Sequence, residues 1–233
     1  MIKSTTFITK WVYAVVRITL MWWIANFPYL ILIFASFGVE NEGQIGTLML
    51  TGLVFLPFIM VPSTIGTLGV AREFFKREND FPLFLTYWKY VKREYVTGMK
   101  VGMVIMILMS LFYLQFSYYS MLLGTSSGLV FILFMFMAVF YFIFLLTILV
   151  DRSNSLIGYF KVTGQLMSRH PVLMISMMLE SFLVIYLSAI FMPSLLIFGC
   201  PGIIVLLATH FYRECIRQEE RKETLSIRED QRV

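Results

Sequence analysis

Few residues in this 233-residue chain are of a type that does chemistry, and the most conspicuous lie inside long apolar runs. Glu180 is the one acidic residue within such a run. A carboxyl group deep in a hydrocarbon layer costs a few kcal/mol to insert, so Glu180 is expected to face protein or water. Its role would be a coupling or substrate-contact group, or a hydrogen-bonded tie between helices. Arg17 is the one cation well inside a run, Lys100 standing at the very start of its own, and Asn26 follows Arg17 in the same stretch. Counted from Trp11, Asn26 is expected near the depth of Glu180, whereas Arg17 lies nearer the basic flank, where its long side chain can snorkel to headgroups. Arg17 and Glu180, as lone ions of their runs, are also candidates to pair.

Catalytic signatures with their required context are missing. The chain has no His-Glu-x-x-His, no glycine-rich phosphate loop and no cysteine pair at metal spacing; Gly124-Thr125-Ser126-Ser127-Gly128 spells Gly-x-Ser-x-Gly but joins two apolar runs, without the preceding strand that a nucleophile elbow needs. His170 precedes Pro171 at a helix start, and His210 falls in the headgroup zone. Cys200 and Cys215 stand 15 positions apart on one expected helix, roughly 22 Å at helical rise, too far for a bridge. No catalytic residue, metal or cofactor is assigned, and the expectation is a protein that is not an enzyme.

The elements that must position these residues follow from composition. Hydrophobic residues make up 59% and charged residues 14%, well outside the range of soluble domains, and the charges come in blocks between apolar runs. A helix needs about 20 apolar residues to cross a ~30 Å hydrocarbon layer. Spans are read at about 12–37, 45–70, 98–120, 128–150, 171–191 and 194–212, with Pro193 dividing the last two. The expected fold is an all-α membrane protein, a bundle of six transmembrane helices over residues 1–214. Residues 215–233 form a charged tail, read as a helix extension fading into disorder. The first run is too long for a signal peptide and lacks a small-residue cleavage site, so it is expected to persist.

Charge placement fixes an orientation. Lysines and arginines cluster at Lys3 and Lys10, at Arg72 to Lys100, at Arg152 to Arg169, and beyond Arg213, while the segments 38–44, 121–127 and 192–193 carry none. Six crossings put every basic group on one side, which the positive-inside rule makes cytoplasmic. The expected location is thus the bacterial plasma membrane, with both termini inside. The net charge of +5 is read as directed at anionic lipid headgroups, and nucleic acid is excluded because the cations flank spans instead of forming a stripe.

Two cytoplasmic connections are expected to be interfacial amphipathic helices. In the first, Asn79 and Asp80 supply caps; Phe81, Phe84, Leu85, Trp88, Val91 and Tyr95 recur at helical spacing, opposite Lys89, Lys92 and Arg93. In the second, Ser153 or Asn154 caps a helix whose Leu156, Phe160, Thr163 and Met167 share a face. Tyr87-Trp88-Lys89 and Tyr159-Phe160-Lys161 hint at a duplicated unit. At the inner end of the second span, Pro62, Ser63, Thr64, Gly66 and Thr67 form a small, hydroxyl-rich motif read as a helix-packing surface, with a binding cleft as the alternative.

The stretch Pro62-Ser63-Thr64 through Ala71-Arg72, with Phe81-Pro82-Leu83-Phe84, Tyr87 to Glu94, Tyr159-Phe160-Lys161 and His170-Pro171, resembles the YesL-like family of small bacterial membrane proteins, a domain of unknown function. The charged tail from Arg217 to Val233 is a departure from it. Genes of that family often neighbour those of carbohydrate ABC importers. The resemblance therefore implies an accessory role in sugar uptake, with permease subunits as partners and a homo-oligomer as a further possibility. The alternative is a solute-binding or carrier protein using a midplane carboxylate, Glu180.

Overall fold

Prolines and a few polar residues set where the helices begin and break. A computed structural model describes residues 2–39, 41–77, 82–123 and 125–230, and among these the only regular structure is helical. The cap residues Asn79 and Asp80, together with Phe81 and Glu40, lie outside the described residues.

Helix α1 (Ile2–Ala25) meets α2 (Phe27–Ser36) at a 76° bend. Pro28 has no amide to bond the Ile24 carbonyl and its ring crowds that turn, so α1 cannot run on and the chain turns at Asn26, leaving Pro28 in the first turn of α2. The first run, read as one span over 12–37, is therefore a broken pair.

Helix α3 (Glu42–Phe55), a π-helical turn at Leu56–Met60 and α4 (Val61–Arg77) form the second long element. The π turn carries Pro57, whose missing amide is accommodated by the looser register.

Helix α5 (Leu83–Leu123) is unbroken for 41 residues, about 61 Å at helical rise, twice a hydrocarbon layer. This corrects the expectation of a separate interfacial helix near 81–95: those turns are the first part of α5. Two sites of close approach hold them upright. A Cβ on Gly66 would lie 2.5 Å from the Tyr87 ring, and one on Gly69 would lie 2.2 Å from that of Tyr90. Tyr87, Tyr90 and Val91 form the buried face, while Phe84, Leu85 and Trp88 face outward.

After α6 (Thr125–Asp151), the expected second amphipathic helix is a separate element, α7 (Leu156–Arg169). Its cap is Ser155, whose Oγ accepts from the Gly158 amide at 3.2 Å, in place of Ser153 or Asn154. Tyr159, Thr163 and Leu166 are its buried face.

Helix α8 (Pro171–Phe191) follows His170 directly. The expected last span is divided at Gly199 into α9 (Pro193–Phe198) and α10 (Cys200–Asp230). The tail is a helix extension as expected: α10 runs to Asp230, and its first turns beyond the apolar run bury Cys215 and anchor Glu219.

Four helical stretches are long and apolar enough to cross a membrane, Gly43–Lys76, Leu83–Tyr119, Leu133–Asp151 and Pro171–Phe191, and the bent α1–α2 pair makes five. The chain is a multi-pass membrane-type helical bundle. Helix α10 packs against α1, α4, α6 and α8, and so forms the centre of the bundle.

Candidate functional site

The strongest convergence of polar groups lies at one end of the bundle, where α4 and α6 finish, α5 begins and α10 passes between them. Arg72, near the end of α4, donates from Nη1 to the Tyr90 hydroxyl of α5 at 3.1 Å, and its Nη2 forms an ion pair with Asp151, the last residue of α6. The Tyr90 hydroxyl donates to Glu73 Oε1 at 2.9 Å, and the Tyr212 hydroxyl of α10 donates to Asp151 Oδ2 at 2.8 Å. Arg93 lies over the Tyr90 ring, 4.6 Å from its centroid, and donates to the Val150 carbonyl at 2.9 Å. A cation on the last carbonyls of α6 complements that end of the helix dipole.

Beside this network is a cleft of about 260 Å³, in which Arg72, Lys76, Arg213 and Arg217 face Asp151 and Glu220. The Arg72 Nε is buried without a protein acceptor. Burial and the neighbouring Arg217 push the Arg213 guanidinium below its ordinary value, against the pull of Asp151. Excess positive charge in a recess partly screened from solvent suits a carboxylate or phosphate group.

A second tie joins the α7–α8 corner to α10. Buried His170 meets Glu219 Oε1 through Nε2 at 2.8 Å, and Arg169 Nη1 donates to Glu219 Oε2 at 2.9 Å. Burial works against the Glu219 carboxylate, but the bonds from His170 and Arg169, with the charges of Arg169 and Lys222, outweigh it and hold the carboxyl below its usual range.

The polar residues singled out within the runs are not brought together. Glu180 is exposed on the outer face of α8, between Leu179 and Phe182. Arg17 is exposed on α1, with its guanidinium 4.1 Å from the Tyr13 ring centroid, and no ion pair joins it to Glu180. Asn26 is fully buried; its Nδ2 donates to the Trp22 carbonyl at 2.8 Å and to Ser63 Oγ at 2.6 Å.

The expected common depth of Asn26 and Glu180 is corrected. The bend places Asn26 at the far end of α1 instead of mid-span, about 20 Å along the bundle from Glu180 at helical rise.

In the 62–67 motif, Pro62, Ser63, Gly66 and Thr67 are buried, and Thr64 Oγ1 accepts from Trp22 Nε1 at 3.1 Å. Lys89 and Lys92 are exposed, whereas Arg93 is engaged with α6.

The cleft itself escaped the reading of the sequence. Its signal was present in Asp151, an acid directly ending an apolar run, and in Arg72 at the end of another.

A family model described as a protein of unknown function, DUF624, matches residues 15–116, from Val15 in α1 to Phe116 in α5. The matched part thus includes Asn26, the 62–67 motif and Arg72, Tyr90 and Arg93. Neither a curated protein nor a solved structure matches the chain.

Proposed function

We propose that this chain is an accessory membrane protein of a carbohydrate ABC importer. It crosses the bilayer six times, with both termini in the cytoplasm, and engages its partner through its basic end. The observation that carries the proposal is the cleft ringed by Arg72, Lys76, Arg213 and Arg217, which opens where the positive-inside pattern puts the cytoplasm. Four cations against two carboxylates favour an acidic group on a permease partner, while exposed Lys89 and Lys92 suit anionic headgroups. The resemblance to YesL-like proteins supplies the choice of importer. In this reading the fifth and sixth crossings are the bent α1–α2 pair and the α9–α10 pair.

A carrier centred on Glu180 has less support. Two cavities of about 450 and 480 Å³ lie among the apolar helices, lined mainly by aromatic and aliphatic side chains, and Glu180 borders neither. A sugar needs many hydrogen-bonding partners, which such linings supply poorly.

Purification of the tagged chain from native membranes in mild detergent tests the proposal. The expected result is a permease pair in the eluate, reduced several-fold by Lys76→Glu with Arg217→Glu. An eluate without transporter subunits would reject it. Cysteines at positions 44, 92 and 126 test the topology: an impermeant thiol reagent added from outside should label 44 and 126 but spare 92.

A further inference from the structure

Glu180 and Arg17 are opposite charges left on the outer surface of apolar helices, and the packing places them at the same depth. The register of α8 against α10 is fixed at two points, by His170 on Glu219 and by the Cys200 thiol on Ser188 Oγ at 3.4 Å. Eight residues back from Ser188 on α8 is Glu180, and eight forward from Cys200 on α10 is Ala208.

The register of α1 against α10 is fixed by the Gly202 amide, which donates to Thr19 Oγ1 at 3.0 Å. Phe75 fixes it again by touching both Trp11 and His210. Seven residues back from Thr19 is Val12, and seven forward from Gly202 is Thr209. Glu180 is therefore level with Val12 and Tyr13. The guanidinium of Arg17, lying on the Tyr13 ring, reaches that same level.

Within one copy, α10 lies between α1 and α8 and packs on both, so the two ions face lipid on separate helices. An exposed carboxylate flanked by exposed Leu179, Phe182 and Leu183, level with the inner end of the first apolar run, gains from meeting a cation held at the same height on an apolar surface. A two-fold axis along the membrane normal preserves depth, so it sets the α1 of one copy against the α8 of its partner at equal height.

We infer that the protein self-associates in the membrane through reciprocal ion pairs in which Arg17 of one copy meets Glu180 of the other. Apolar packing of α1 residues Val16 and Leu20 on the α8 surface surrounds each pair. The inference rests on the membrane placement of α1 and α8 and is independent of the accessory role.

Single-molecule photobleaching of the fluorescently tagged full chain in lipid vesicles tests it. The parent should bleach mainly in two steps. Arg17→Glu alone and Glu180→Arg alone should shift the majority to one step, and the two together should restore two steps, which misfolded protein would not do. Glu180→Gln, a milder change, should weaken association at least several-fold. As a second readout, chains bearing Arg17→Cys mixed with chains bearing Glu180→Cys should give at least tenfold more disulfide-linked dimer than either alone. One-step bleaching of the parent would overturn the inference, as would two-step bleaching that survives either single charge reversal. So would a crosslink from position 180 to a different protein only.

Discussion

Asn26 donates from Nδ2 to Ser63 Oγ across 2.6 Å, joining the point where the first helix bends to the small-residue motif of the second. Ser63 passes its own hydrogen to the Met60 carbonyl at 2.9 Å, in the last residue of the π turn, so two irregular backbone sites share one chain of hydrogen bonds. Asn26 Oδ1 remains buried without a protein partner. Interhelical bonds of this kind in membranes average about 0.6 kcal/mol and reach about 1.7. Ser63→Ala is expected to lower stability within that range, and Asn26→Leu somewhat more by also freeing the bend. The double variant should fall short of the sum of the two, measured by thermal unfolding in mild detergent.

Breaking the Arg72–Asp151 pair should be felt more strongly. Both side chains are about a quarter exposed, at 21% and 28%. The loss therefore belongs between the ~0.2–1 kcal/mol of surface pairs and the ~3–5 kcal/mol of stripping one partner from a buried pair. Asp151→Asn and Arg72→Gln should each destabilise by about 1–3 kcal/mol, and combining them should add little. Fully additive losses in the thermal melt would mean that the ions do not act as a pair.

Acid should loosen the contact of α10 with the α7–α8 corner. Because the folded Glu219 carboxyl is held below its unfolded value, its stabilisation is complete above the unfolded pKa and is lost as pH falls through the folded one. Melting temperature should drop across the acidic carboxylate range, and Glu219→Gln should flatten that part of the profile while lowering the neutral-pH value. An unchanged profile in the variant would assign the acid sensitivity to other carboxylates.

The two thiols should resist labelling. Cys215 is fully buried, and burial with the nearby Glu214 and Glu219 charges pushes its thiol up to about 12, so little thiolate exists at neutral pH. Cys200 is buried as well. Maleimide should modify the folded protein at least tenfold more slowly than the same protein in sodium dodecyl sulfate, followed by mass spectrometry.

Gly202 marks the closest approach of α1 and α10. A Cβ there would sit 2.5 Å from both Thr19 Oγ1 and the Val15 carbonyl oxygen, and backbone cannot yield as a flexible side-chain tip does. Gly202→Ala should cost about 1–3 kcal/mol by overpacking, and Gly202→Leu should prevent recovery of folded protein by size-exclusion chromatography. Gly164, with open space around it, should accept alanine without loss.

By itself the sequence determined that several helices are long and apolar enough to cross a membrane, roughly where they run, and that the basic groups collect in a few blocks between the apolar runs. Hydropathy and charge are sums over local stretches and need no knowledge of neighbours. Tertiary structure decided the rest: the bend at Asn26, the fusion of the amphipathic turns into α5, the meeting of Arg72 with Asp151, and the outward aim of Glu180.

A membrane helix is apolar on its buried and its lipid-facing sides alike. Hydrophobic periodicity therefore carries little record of which way a side chain points, and only helix-to-helix packing fixes that rotation. This is why Glu180, placed correctly within its run, was expected to face protein or water, whereas the packing of Met174, Met177 and Ser181 against the bundle turns it outward.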